Sequence, residues 1–119
     1  MLMKRALISF VALGAFLLLP RLALAHAHLL SSTPEANATV HGPAVAIELR
    51  FNSRVDGEHS TLGLVTQSGS ITLLRDKQRS ETTLNAHATL KPGSYTLRWQ
   101  ALSTDGHITR GEIPFSVAK

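Results

Sequence analysis

Hydrophobic and polar residues alternate with period two in three stretches of this chain. Val45, Ile47, Leu49 and Phe51 are interleaved with Ala46, Glu48 and Arg50, and Tyr95, Leu97, Trp99 and Ala101 with Thr96, Arg98 and Gln100. Ile113, Phe115 and Val117 alternate in the same way with Glu112, Pro114 and Ser116. Successive side chains of an extended strand point to opposite faces, so each stretch predicts a strand with one buried face. Two more strands, Thr61 to Val65 and Ile71 to Leu74, flank Gln67-Ser68-Gly69, which reads as a hairpin turn. Pro92-Gly93 marks a turn ahead of the strand carrying Trp99. Pro114 has no amide hydrogen for a ladder and is expected at an edge or a bulge. Trp99 and Tyr95 share a strand face and read as core. No stretch has the periodicity of an amphipathic helix, and there is no repeat or linker. Short strands at this spacing predict a small all-β domain, an antiparallel β-sandwich or a Greek-key β-barrel.

The first 25 residues do not fit that pattern. Lys4 and Arg5 supply a positive start, Ala6 to Leu19 runs without a charge, and Ala23-Leu24-Ala25 is a small-x-small cleavage signal. The run is shorter than the roughly 20 apolar residues a spanning helix needs, and Arg21 stands just beyond it. Residues 1–25 are therefore expected to be a signal peptide, and residues 26–119 one small exported domain. Lys4, Arg5 and Arg21 leave with the leader and no acidic residue does, so the formal charge falls from +4 to +1. The basic character of the whole chain belongs mostly to the leader, and no basic tract remains to suggest nucleic acid. Both methionines also leave, the chain has no cysteine, and all six histidines stay. Export here reflects a destination and not a need for disulfides.

Cleavage after Ala25 exposes His26 as the first residue, with a free α-amine and an imidazole on one residue. An α-amine has a pKa of about 8, so it yields its proton to a metal ion easily near neutral pH. Far along the chain, Asp105-Gly106-His107 offers a carboxylate and an imidazole. Residues two apart in an extended segment share a side, and Gly106 would allow a bend. The His26 amine and ring with Asp105 and His107 make three nitrogens and one oxygen, a borderline-hard set that suits tetragonal Cu(II). Without thiolate or thioether, Cu(I) has little to hold it. Each piece has an ordinary explanation when taken alone: chain ends fray, and Asp-Gly is a common turn dipeptide. The combination carries the metal reading. His26-Ala27-His28 also offers a purely local alternative, in which the amine, two amide nitrogens and the His28 ring hold Cu(II) without any fold. His41, His59 and His87 are expected to be solvated loop residues.

These residues resemble the CopC copper-resistance family of periplasmic copper carriers. The resemblance rests on His26-Ala27-His28-Leu29, Ser31-Ser32-Thr33-Pro34, Ile47-Glu48-Leu49-Arg50-Phe51 and Gly93-Ser94-Tyr95-Thr96-Leu97-Arg98-Trp99. Ser103-Thr104-Asp105-Gly106-His107 and the closing Gly111 to Val117 complete it. It implies a cupredoxin-like or immunoglobulin-like β fold in the periplasm, with one Cu(II) per chain held by His26, Asp105 and His107, and no catalysis. Some family members place a copper-binding Glu two residues after the position of Phe51. Here Ser53 stands there, so the carboxylate role rests on Asp105. The Met-rich loop that some members use for Cu(I) is missing, which points to the subgroup with only the Cu(II) site. Members often work beside, or fused to, an inner-membrane protein called CopD; this chain is expected to act as a monomer with no such extension. Two other functions compete. A terminal His with a second His forms the copper brace of oxidative polysaccharide-cleaving enzymes, although Asp105 would fill the position those leave open for oxygen. A structural or adhesive envelope β-sandwich would explain the strands and the export, but not the two end motifs.

Overall fold

Eight strands follow one another in the computed structural model, which describes residues 26–119. The predicted leader and its cleavage point after Ala25 lie outside the described residues. In chain order the strands are β1 (Leu29–Thr33), β2 (Thr39–His41), β3 (Ala44–Phe51), β4 (Thr61–Thr66), β5 (Gly69–Thr72), β6 (Thr83–Thr89), β7 (Gly93–Leu102) and β8 (Ile108–Ala118). The described residues contain no helix.

The strands form two sheets, one of three strands in the order β1-β3-β6 and one of five in the order β2-β8-β7-β4-β5. The architecture is a sandwich and not a closed barrel. Alternation decides which face of each strand meets the other sheet. Val45, Ile47, Leu49 and Phe51 of β3 are buried, as are Leu97, Trp99 and Ala101 of β7 and Ile113, Phe115 and Val117 of β8. Leu62 and Leu64 of β4 and Leu84 and Ala86 of β6 join them in the interior. Phe51 meets Trp99 edge-on with ring centroids 5.4 Å apart, so one aromatic pair bridges the two sheets. Tyr95 stacks on Phe115 at 5.7 Å and its hydroxyl donates to the Lys91 carbonyl at 2.6 Å. Aromatic rings thus pack on the core toward both ends of β7.

Three strands had no signature in the pattern. β1 carries a bulge between Leu29 and Ser31 in its pairing with β3, which interrupts its alternation and leaves Leu30 exposed. β2 has three residues and runs parallel to β8, the single parallel pairing among the described strands. β6 buries Thr83, Leu84, Asn85 and Ala86 in succession. The preceding segment lies along its free edge, where Arg75 bridges to Ala86 and the Asp76 amide donates to the Asn85 carbonyl at 2.8 Å, and it folds over the Thr83 and Asn85 side chains, which accept from the Ser80 and Arg79 amides. A strand covered on both faces loses the period-two signal. Two histidines expected in loops therefore lie in strands, His41 at the end of β2 and His87 in β6 opposite Ala46. Both are exposed, as expected, and His59 lies in the β3–β4 loop.

The hairpin forms, but its turn is tighter and its second strand earlier than expected: β5 takes in Gly69 and ends at Thr72, leaving Leu73 and Leu74 outside it. β4 and β5 pair through Thr66 and Gly69, so Gln67-Ser68 form a two-residue turn, with Gly69 at φ 134°. Thr66 Oγ1 accepts from the Ser68 amide at 3.1 Å. Pro114 lies in β8 opposite Thr96, and its carbonyl accepts from the Asn37 amide on the side away from β7. β2 pairs with β8 only from Ser116 onward, so the nitrogen of Pro114 faces a stretch of local edge where no ladder donor is required.

Gly111 is the tightest approach in the five-stranded sheet. It pairs with Trp99, and a Cβ added there would lie 2.5 Å from Trp99 Cζ2 and 2.6 Å from Nε1. The indole lies directly over the glycine backbone. Gly111→Ala is expected to lower stability by about 1–3 kcal/mol, as overpacking of a filled core does. For a domain of this size each kcal/mol is worth roughly 4–8 °C in Tm. Thermal unfolding followed by circular dichroism checks this, and an unchanged Tm would show that the ring moves aside freely.

Candidate metal centre

The end of β7 and the start of β8 are joined by Ser103 to His107, and Asp105 and His107 sit in that connection. It is a turn and not the extended segment expected. Gly106 takes φ 90°, its amide donates to the Ser103 carbonyl at 3.0 Å, and the Ser103 amide donates to the His107 carbonyl at 2.8 Å. Asp105 and His107 still face one another, because the turn folds one over the other. The Asp105 carboxylate accepts from the His107 amide at Oδ1, 3.2 Å away, and its Oδ2 lies 3.0 Å from His107 Nδ1. A Nδ1–H donating to that oxygen leaves the lone pair of His107 on Nε2, free to face a metal.

Ser103 is the residue whose role the sequence did not disclose. Its side chain is buried, and its hydroxyl donates to Asp105 Oδ1. That bond is the main reason the Asp105 carboxyl is lowered from 3.8 to about 2; partial desolvation opposes it, and the amide and ring of His107 add to it. Asp105 is therefore fully ionised at neutral pH.

The other half of the candidate set comes from the start of the domain. The His26 ring lies 4.2 Å from the His107 ring, centroid to centroid, and 6.4 Å from the His28 ring. His26 is half-buried, Ala27 is fully buried, and His28 is exposed. The segment is not frayed. The Ala27 carbonyl accepts from the Thr109 hydroxyl at 2.8 Å. The His28 amide donates to Asn52 Oδ1 at 2.8 Å, and the Asn52 amide donates back to the His28 carbonyl at 3.0 Å.

The fold thus brings His26, Asp105 and His107 into one neighbourhood at one end of the sandwich. Among the described residues no group of three His, Cys, Asp or Glu side chains is already arranged around one point as a metal cage. His26 and His107 offer two imidazoles, and Asp105 is turned toward His107. Two nitrogen ligands and an ionised carboxylate, open to solvent on one side, fit a divalent ion of the copper or zinc type. The remaining histidines have other partners: His41 Nδ1 lies 2.9 Å from the Lys119 carbonyl, His59 Nδ1 lies 2.9 Å from Asp56 Oδ2, and His87 pairs with Asp76. Ser53, at the position where some CopC proteins carry a copper-binding Glu, has a buried hydroxyl oxygen with no partner among the described residues.

Comparison with known proteins supports the resemblance seen in the motifs. Residues 29–118 match the CopC domain. The chain is 36% identical over 98 residues to protein YobA of Escherichia coli K12, covering 78% of this chain and 79% of that one. It is 27% identical over 122 residues to the copper transport protein CutJ of Bacillus subtilis, of which it spans 23% of the length. Among solved structures, CopC from Methylosinus trichosporium OB3b superposes with a TM-score of 0.69 at 28% identity, covering 77% of this chain and 93% of that one. The methionine-rich copper resistance protein PcoC from Escherichia coli superposes with a TM-score of 0.67 at 25% identity, covering 79% of this chain and all of that one. With the domain match running from the start of β1 to the end of β8, the chain belongs to the CopC family.

Proposed function

We propose that this protein is a periplasmic copper carrier that binds one Cu(II) per chain without catalysis, contributing to copper resistance or homeostasis by buffering or delivering the ion. The ligands are the α-amine and ring of His26, released by cleavage after Ala25, with Asp105 and His107. The observation that carries this reading is the 4.2 Å approach of the His26 and His107 rings, made by residues at opposite ends of the domain. Copper transport and copper resistance are what the names of CutJ and PcoC describe. The donor set adds to this: nitrogen and carboxylate ligands favour Cu(II), which stands at the top of the affinity order for divalent first-row metals. His107 and Asp105 have side-chain exposures of 58% and 28%, so the ion can enter and leave from solvent. That accessibility suits a monomeric carrier handing its cargo to another protein, such as a CopD-type protein of the inner membrane.

If the amine is a ligand, a chain beginning Met-His26 should bind Cu(II) at least tenfold more weakly than one beginning His26, because the added residue turns the amine into an amide. Competition titration checks this, and equal affinities would remove the amine from the site.

His107→Ala and Asp105→Ala should each weaken Cu(II) binding by an order of magnitude or more, while His28→Ala should change it little. Copper should raise Tm in the wild type, since a ligand confined to the native state adds about 2.7 kcal/mol at a hundred times its Kd. Full-strength binding by a synthetic peptide of residues 26–30, with no loss in His107→Ala, would overturn the folded site.

Oxidation state provides a third check. With no sulfur in residues 26–119, ascorbate and a Cu(I) chelator should strip the metal. Retention of Cu(I) against a strong chelator would contradict the Cu(II) reading.

A further inference from the structure

His26-Ala27-His28 offers Cu(II) two incompatible sites. One is the folded site shared with Asp105 and His107. The other is local: the terminal amine, the amide nitrogens of Ala27 and His28 and the His28 ring, closed around the ion in a plane. The local site needs the three residues to wrap around the metal, and an amide nitrogen can join it only after losing its hydrogen. The contacts of the segment oppose both requirements. The hydrogen on the His28 amide is donated to Asn52 Oδ1 at 2.8 Å, and the Asn52 amide returns a bond to the His28 carbonyl at 3.0 Å. One residue earlier, the Thr109 hydroxyl holds the Ala27 carbonyl at 2.8 Å, and the Ala27 methyl is wholly buried. Wrapping the segment around a metal would remove the His28 hydrogen from Asn52 and require the backbone to leave the path that the Thr109 and Asn52 bonds and the buried Ala27 methyl hold. The His28 ring stands 6.4 Å from that of His26, whereas His107 stands at 4.2 Å.

We propose that Asn52, assisted by Thr109, is a specificity-determining positioning residue: it holds the backbone of Ala27 and His28 so that copper is directed to the folded site and denied the local one. Asn52 lies just past the end of β3 and Thr109 at the start of β8, so the two clamps reach the segment from different sheets. Ala27 fits between them because its side chain is small enough to be buried there without disturbing either bond. The carboxamide oxygen of Asn52 is the operative atom, since it alone accepts the His28 hydrogen. The same clamp bears on Ni(II), which the deprotonated amide nitrogens of the local arrangement would force into a square plane. This inference rests on the folded-site reading above, and wild-type spectra separate the two.

The test uses the chain beginning at His26, loaded with one equivalent of Cu(II) or Ni(II) at neutral pH. The readouts are electron paramagnetic resonance and visible absorption for copper, and the yellow diamagnetic square-planar signature for nickel. Wild type should show a mixed nitrogen–oxygen Cu(II) spectrum and no square-planar nickel. Asn52→Ala should shift a substantial fraction of Cu(II) to a four-nitrogen spectrum with its absorption at higher energy, and should gain the nickel signature. Asn52→Asp, which keeps an acceptor oxygen at the same place, should behave as wild type. Thr109→Val should shift in the direction of Asn52→Ala, by less. Near-ultraviolet circular dichroism of Trp99 reports whether each variant keeps its core, and His28→Ala in the Asn52→Ala background should abolish the new signals. A four-nitrogen spectrum already present in wild type would overturn the folded site itself. A wild-type spectrum of the mixed kind, unchanged in both Asn52→Ala and Thr109→Val, would overturn the clamp alone. A shift in Asn52→Asp equal to that in Asn52→Ala would also overturn it, because the acceptor oxygen would then not be the cause.

Discussion

The segment His26–His28 joins the two sheets at one end of the sandwich, and the geometry of the site depends on how it is held there. Its amide and carbonyl at His28 pair with Asn52, which comes just after β3 of the small sheet, and its Ala27 carbonyl takes a hydrogen from Thr109, on β8 of the large sheet. Each such bond contributes only about 0.5–1.5 kcal/mol net. Their effect is larger than that sum suggests, because the Ala27 side chain is fully buried between them and the segment cannot slide or swing without exposing it. Here the segment is pinned through the backbone of Ala27 and His28, and His26 is presented toward His107 as a consequence.

Holding His26 against a turn some eighty residues away requires a scaffold that does not deform. The sandwich meets that need through its long central pairing. β7 and β8 run antiparallel from Gly93↔Val117 to Leu102↔Ile108, so the Ser103–His107 turn is the closed end of a ten-pair ribbon. The inward faces of that ribbon carry Leu97, Trp99, Ile113 and Phe115, and Phe51 of the opposite sheet packs edge-on against Trp99. Burial of this kind, at roughly 25 cal/mol per Å² of apolar surface, is what offsets the entropy of closing a long loop. Any loosening of the core near Trp99 would be felt at the turn, since Trp99 precedes Ser103 by a few residues on the same strand.

Within the turn, electrostatics and geometry are set by one buried hydroxyl. Ser103 donates to Asp105, and its backbone amide closes the turn onto His107. The carboxyl is held near 2, so its negative charge is fully present at neutral pH. Linkage gives the corresponding stability effect: the native state favours the ionised form, so this contribution is complete above the ordinary carboxyl value of 3.8 and fades as pH falls through about 2. The site therefore approaches a cation with its charge already in place. His107 is oriented by a neighbouring carboxylate, as hydrogen-bonded carboxylates orient the histidine ligands of many metal centres.

Periodicity was enough to locate β3, β7 and β8, because each has one face in the core and one in water, and the hydrophobic effect writes that difference into alternate residues; the β4–β5 hairpin was marked by its turn residues, since β5 is exposed along its whole length. The same pattern predicted an all-β domain, and ligand chemistry with family resemblance singled out His26, Asp105 and His107 from six histidines and eight acidic residues. Periodicity could not reveal β6, whose residues Thr83 to Ala86 are buried on both faces, nor β1, whose alternation is broken at Leu30, nor the three-residue β2. Nothing local gave a role to Ser103, Asn52 or Thr109. Small polar residues look alike in a sequence wherever they stand, and hydrogen bonds such as Thr109 to Ala27 link positions 82 residues apart. Local pattern records what each residue does with water. Which sheet a strand joins, whether the domain closes as a barrel or packs as a sandwich, and which distant backbone groups meet across its end are consequences of the packed sheets, and only the tertiary structure decided them.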